Sequence, residues 1–179
     1  MVMISAPLAP PVGNVQAHPA ALGLDRAASR RNRVLVVESD RALRDAVTGA
    51  LAVAVPVQGA RTGYEARRML DEFIPTIVVM NLQLDDSSGL DLLRLVRDRL
   101  SGSKVIVTSD SGDSELVDRV TALGVCDFLE KPYSTVELFR SLENSVRGIS
   151  SPIDDRILAA RYHEKSRLRL RSLLMNAAG

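Results

Sequence analysis

Five times between residues 34 and 147, a short apolar run is followed by a stretch whose apolar residues recur every three or four positions. That change of period is what a strand followed by an amphipathic helix imposes on a sequence. Residues 34–37, 55–58, 76–80, 104–108 and 126–130 read as the strands. Five helical stripes lie after them: Ala42, Leu43, Ala46, Val47, Ala50 and Leu51; Ala66, Met69, Leu70 and Phe73; Leu90, Leu93, Val96 and Leu100; Leu116, Val117, Val120 and Leu123; and Val136, Phe139, Leu142 and Val146. Thr62 is the predicted N-cap of the second helix, and Gly124 closes the fourth. Strands joined by helical crossovers pair in parallel, and the crossovers are right-handed almost without exception. The chain therefore predicts an α/β doubly wound fold, a five-stranded parallel sheet with helices on both faces.

The strand order follows from one proline. Pro56 interrupts the second apolar run and removes a ladder donor, so that strand belongs at an edge. Residues 126–130 alternate apolar and polar, as an edge strand does. The order 2-1-3-4-5, the flavodoxin-like arrangement, satisfies both demands. Aromatic residues make up only 3% of the chain and Trp is absent, so the core must be built from Val, Leu, Ile and Ala.

The regions outside this repeat differ in character. Residues 1–32 scatter Pro7, Pro10, Pro11 and Pro19 among Ala and Gly without an apolar period, which predicts a disordered tail ending in Arg26, Arg30, Arg31 and Arg33. The predicted domain spans residues 33–147, with Ser150-Ser151-Pro152 inside a linker at 148–152. Residues 153–179 predict a basic helical extension with Arg156, Arg161, Lys165, Arg167, Arg169 and Arg171. Its apolar residues form no single stripe, although Leu170, Leu173, Leu174 and Ala177 share a face. One helix cannot bury its own face, so this one must pack on the domain, dimerise or meet a partner. A net charge of +1 argues against a surface built throughout for nucleic acid or membrane. Cys126 has no cysteine partner, and His18 and His163 have no ligand-spaced companions, so neither a disulfide nor a metal site is expected. No apolar run reaches membrane-spanning length and no signal peptide is legible, so the expected location is the cytoplasm.

In a doubly wound sheet, functional groups collect at the carboxyl ends of the central strands. Those ends are Glu38-Ser39-Asp40, Asn81, Thr108-Ser109 and Lys131-Pro132. Together with residues 34–37, the run from Val78 to Leu84 followed by Gly89, and Phe128-Leu129-Glu130 before the Lys-Pro pair, they resemble the response-regulator receiver domains of two-component signalling over residues 33–147. The resemblance implies phosphoryl transfer from a histidine kinase to an aspartate, with Mg²⁺ held by that aspartate and an acidic pair, and with a lysine and a threonine on the phosphoryl oxygens. By correspondence the acceptor position is 81, the acidic pair is 38 and 39, the retained helpers are Thr108 and Lys131, and the switch aromatic is Phe128.

This sequence departs from that pattern at two carboxylates. Asn81 stands at the acceptor position; its carboxamide oxygen is a poor nucleophile and forms no stable acyl phosphate. Ser39 stands where an acidic metal ligand is usual, while Glu38 is an acceptable substitute at the other. The pocket charge falls from −2 in a complete site to zero, with only Glu38 and Lys131 left. A unit-charge pair at ~4 Å is worth about 4 kcal/mol at an effective dielectric of 20. Even a quarter of that surviving for each lost anion lowers divalent-ion affinity by more than about a hundredfold. No Mg²⁺ and no other cofactor is therefore expected. Lys131 is expected to neutralise Glu38, and Thr108 to hydrogen-bond Asn81, which leaves the domain resting in an unphosphorylated-like arrangement unless a partner shifts it. Asp40, Asp85, Asp86 and Asp110 near the rim read as caps or solvated loop residues, and Asp85, standing where proline is usual, is expected to loosen its loop.

No nucleophile–base pair or glycine-rich phosphate loop supports catalysis. The sequence reads instead as a pseudo-receiver signalling module that binds a protein partner, a histidine kinase or another signalling protein. A homodimer through the fourth helix, fifth strand and fifth helix, or through the C-terminal helix, is a further expectation. Phosphorylation at a displaced carboxylate and nucleic-acid binding by the basic helix are the less favoured alternatives.

Overall fold

The computed structural model of the chain describes residues 32–148. The predicted N-terminal tail, the C-terminal helix, nearly all of the linker, His18 and His163 lie outside the described residues. Within them, five strands alternate with five helices: β1 (Val34–Val37), α1 (Arg41–Ala52), β2 (Val57–Ala60), α2 (Gly63–Glu72), β3 (Ile77–Asn81), α3 (Gly89–Arg99), β4 (Lys104–Ser109), α4 (Ser114–Ala122), β5 (Asp127–Glu130) and α5 (Thr135–Arg147). The strands form one parallel sheet in the order β2-β1-β3-β4-β5. The predicted architecture and order are therefore those found.

Local chemistry sets the boundaries. Asp40, Thr62, Asp113 and Ser134 each accept a hydrogen bond from a first-turn backbone N–H of α1, α2, α4 and α5. Such a side-chain acceptor satisfies one of the donors that a helix start leaves unpaired. Ser134 and Glu137 complete a reciprocal capping box at α5. Gly124 and Gly148 adopt left-handed backbone after α4 and α5, a region open to glycine because it has no Cβ.

The core lies in two layers. On one face α2, α3 and α4 cover Leu35, Val37, Val78, Met80, Val105 and Val107; on the other, α1 and α5 cover Val34, Val36, Ile77, Val79, Ile106 and Leu129. Successive residues of β1, β3 and β4 thus point to opposite layers, which is why these strands read as unbroken apolar runs.

Several helix and edge details differ from expectation. Ala42 and Ala46 are exposed, and α1 buries Val47 and Leu51. Val136 is exposed, and α5 buries Leu138, Ser141, Leu142 and Ser145. Leu43, Val47 and Leu51 of α1 and Phe139, Leu142 and Val146 of α5 pack on the core, so the predicted faces hold and single positions differ. Pro56 precedes β2; its carbonyl accepts from the Val34 N–H at 2.9 Å, so it borders the edge strand without interrupting it. β5 does not alternate: Asp127, Phe128 and Leu129 are all buried, and one Asp127 carboxylate oxygen accepts from the Phe128 N–H.

Candidate functional site

The crevice at the carboxyl ends of β1, β3, β4 and β5 gathers Glu38, Asn81, Thr108 and Lys131. The first three are almost fully buried, at 3%, 3% and 1% exposure. Parallel pairing brings them together: Asn81 and Thr108 are register partners on β3 and β4, and Glu38 follows β1 directly.

Glu38 is the hub. One of its carboxylate oxygens accepts from the Lys131 ammonium at 2.7 Å. The other accepts from the Asn81 amide at 3.2 Å and from the Asp40 backbone N–H at 3.1 Å. The Asn81 amide nitrogen also donates to the Gln83 carbonyl at 2.9 Å, and its oxygen accepts from the Gln83 N–H at 3.2 Å. The predicted Glu38–Lys131 ion pair is present. The predicted Thr108–Asn81 bond is not found: Asn81 turns to Glu38 and Gln83, and the Thr108 hydroxyl lies beside the Tyr133 phenol.

Tyr133 had no role in the sequence reading beyond its place after the Lys-Pro pair, where its hydroxyl was the only signal. Burial, and then the nearby Glu38 carboxylate, push its phenol up to about 12, partly opposed by the Thr108 hydroxyl. Gln83 was also missed. Its side-chain amide reaches across from the β3–α3 loop and donates to the Ser109 hydroxyl at 2.9 Å. Ser39 is half-buried, its hydroxyl 3.5 Å from the Gln83 carbonyl. Phe128 is buried in the layer that contains Val105, Val107 and Val117.

Three of the four rim carboxylates are engaged in structure. Asp40 caps α1. Asp85 pairs with Arg61 at 3.6 Å. Asp86 accepts from the Gly63 and Tyr64 backbone N–H groups at 2.8 and 3.0 Å, which holds its carboxyl below the ordinary range. The loop after β3 is thus joined to the start of α2 by Asp86, with Asp85 adding an exposed ion pair to Arg61. Gly89 closes the same loop. A Cβ there would lie 2.5 Å from the Leu82 Cα, so the backbone of α3 rests directly on residue 82. Asp110 is exposed.

The donor set does not fit a magnesium ion. Such an ion takes several oxygen ligands in near-octahedral geometry. Here a single buried carboxylate faces the crevice, both its oxygens are already bonded, and the nearest amide presents its N–H side. No cluster of three Asp, Glu, His or Cys suited to a metal occurs among the described residues.

Comparison with known proteins places these features. The profile of the response regulator receiver domain family matches residues 34–143, more than half of the chain. The transcriptional regulatory protein TrcR of Mycobacterium tuberculosis is 35% identical over 123 residues, covering 66% of this chain and 46% of that protein. The chemotaxis protein CheY of Listeria monocytogenes is 29% identical over 91 residues, covering 51% of this chain and 76% of that one. Among solved structures, the non-phosphorylated HemR receiver domain of Leptospira biflexa is similar with a TM-score of 0.61 and 25% identity, covering 64% of this chain and 94% of that one. The chain spans about half the length, or less, of the first curated relatives it matches, 46% and 44% for two transcriptional regulators.

Proposed function

The chain belongs to the response regulator receiver family, and on that premise we propose that it is an atypical receiver, a signalling module that acts by protein contact and not by accepting a phosphoryl group. The observation that carries this reading is the bonding of Glu38: the one buried carboxylate of the crevice is satisfied by the Lys131 ammonium and the Asn81 amide. A group that waits for phosphate needs its lysine and threonine available to the incoming oxygens. Here Lys131 is engaged by Glu38, and the Thr108 hydroxyl is buried beside Tyr133. Asn81 carries no charge and so imitates neither the aspartate nor its phosphorylated form.

Phosphorylation at a displaced carboxylate is the less favoured reading, since Asp40, Asp85 and Asp86 hold helix starts and an arginine and Asp110 is exposed. The partner proposed is a protein, a histidine kinase or another signalling protein. No helix of the described residues is long and apolar enough to cross a membrane, and we place the protein's action in the cytoplasm on the family resemblance. The full chain incubated with Mg²⁺ and a small phosphodonor should show an unchanged intact mass; a stoichiometric phosphate adduct would defeat the reading. Restoring the carboxylates in a Ser39→Asp/Asn81→Asp variant should create Mg²⁺ binding measurable by titration calorimetry. If it does not, positions 39 and 81 are not the family's acidic positions.

A further inference from the structure

Two loops flank the crevice mouth, and one side chain joins them. Gln83, in the β3–α3 loop, is exposed, yet its amide donates to the fully buried Ser109 hydroxyl at 2.9 Å. A long exposed side chain loses entropy when it is held in one rotamer. Here that loss is offset, because Ser109 is shielded from water and finds its donors only within the protein.

The same hydroxyl accepts from the Ser111 backbone N–H at 3.2 Å. Ser111 donates through its own hydroxyl to one Asp113 carboxylate oxygen at 2.8 Å. The other Asp113 oxygen accepts from the Leu116 N–H at 2.8 Å and so caps α4. On the crevice side, the Asn81 amide holds the Gln83 carbonyl at 2.9 Å. Hydrogen bonds of ordinary length thus run from position 81 to the first turn of α4, without passing through Thr108 or Phe128. The β4–α4 loop depends on them. Among the described residues, no backbone–backbone hydrogen bond joins residues 110–112 to another element, so the loop takes its shape from side chains. A segment without its own backbone ladder opens easily once such contacts are removed.

We propose that Gln83 is a strap that fixes the β4–α4 loop and the first turn of α4, so that the β3–α3 loop sets the presentation of α4 in place of a phosphoryl group. The last clause rests on the reading of an unphosphorylated receiver; the strap itself does not. The test compares full-length wild type, Gln83→Met, Ser109→Ala and the double variant by hydrogen exchange, with neither Mg²⁺ nor phosphodonor present. Gln83→Met keeps the length of the side chain and removes its donor. Amides 111–117 should exchange about two- to tenfold faster in Gln83→Met, the worth of one side-chain hydrogen bond. Amides of β1 and of the α2 start, which Asp86 holds, should be unchanged. The double variant should exchange no faster than Ser109→Ala, since the strap is already gone there. Wild-type exchange at 111–117 in Gln83→Met overturns the proposal. So does acceleration shared equally by β1, or an effect that adds in full to that of Ser109→Ala. If Ser109→Ala does not fold, the Gln83→Met comparison decides alone. A phosphate adduct on the full chain would defeat the unphosphorylated reading and leave the strap standing, whereas unchanged exchange removes the strap and leaves that reading.

Discussion

The two ends of the sheet meet their chemistry in opposite ways. At the carboxyl end, Glu38, Asn81, Thr108 and Lys131 come from four strand ends and satisfy one another and their neighbours. At the amino end, Val34, Ile77, Leu142 and Val146 leave an apolar gap. In a doubly wound sheet the carboxyl end is where a ligand is expected. In this chain that end is closed by its own side chains, and the unmet demand lies at the base. A polar crevice that loses its ligand can be repaired by internal pairing, because hydrogen bonds and ion pairs need only two partners in place. An apolar gap is repaired only by volume, and the described residues supply none.

The sharpest way to break this contrast is Lys131→Met. If the crevice is an internally paired unit, the variant strands a buried carboxylate and should lose about 3–5 kcal/mol in urea unfolding. Adding Glu38→Gln should recover most of that loss, since the uncompensated charge is gone. A loss below about 1 kcal/mol, the range of exposed pairs, would show that the pair is solvated and the crevice open.

Gly89→Ala probes the same end through the backbone. The new methyl would overlap the Leu82 main chain, and the expected loss is about 1–3 kcal/mol, the range for overpacking, with shifted amide resonances across the β3–α3 loop. An unchanged melting curve would mean that α3 can slide off residue 82.

Tyr133 adds a pH signature. Its phenol is raised to about 12 in the fold against 10.0 for an ordinary tyrosine, so the folded state holds that proton longer than the unfolded chain. Below pH 10 both states are protonated and the group adds no slope. Between pH 10 and about 12 stability should fall with rising pH by up to about 1.4 kcal/mol per unit. Comparing wild type with Tyr133→Phe in alkaline unfolding isolates this term, and equal slopes would remove the phenol from the crevice network. The smallest effect is expected at the base: Val53→Asp, on an exposed side chain, should move the unfolding free energy by no more than about 0.5 kcal/mol. A larger loss would mean that the surface beside the gap is already covered by well-packed chain.

Much of the fold was legible before any coordinates. The βα repeat dictated a parallel sheet, and an edge position for the second strand followed from the disruptive proline, even though Pro56 proved to border β2. The face of α5 is the predicted one at Phe139, Leu142 and Val146, but Ser141 and Ser145 share the buried side while Val136 stands in solvent. Polarity is an average tendency, and the packing of one helix against one strand overrides it.

The site divides along the same line. Asn81 and Ser39 beside Glu38, Thr108 and Lys131 are facts of composition at strand ends, so the sequence alone determined that the crevice carries a single carboxylate against a single lysine. Which partner each survivor takes was decided only in three dimensions. Lys131 meets Glu38 across 93 positions of chain, and Asn81 takes Glu38 and Gln83 in preference to its register neighbour Thr108. Strand order follows from patterns repeated over many residues, each contributing a little. A hydrogen bond depends on a few tenths of an ångström between side chains delivered by distant elements, a quantity that exists only once those elements have packed.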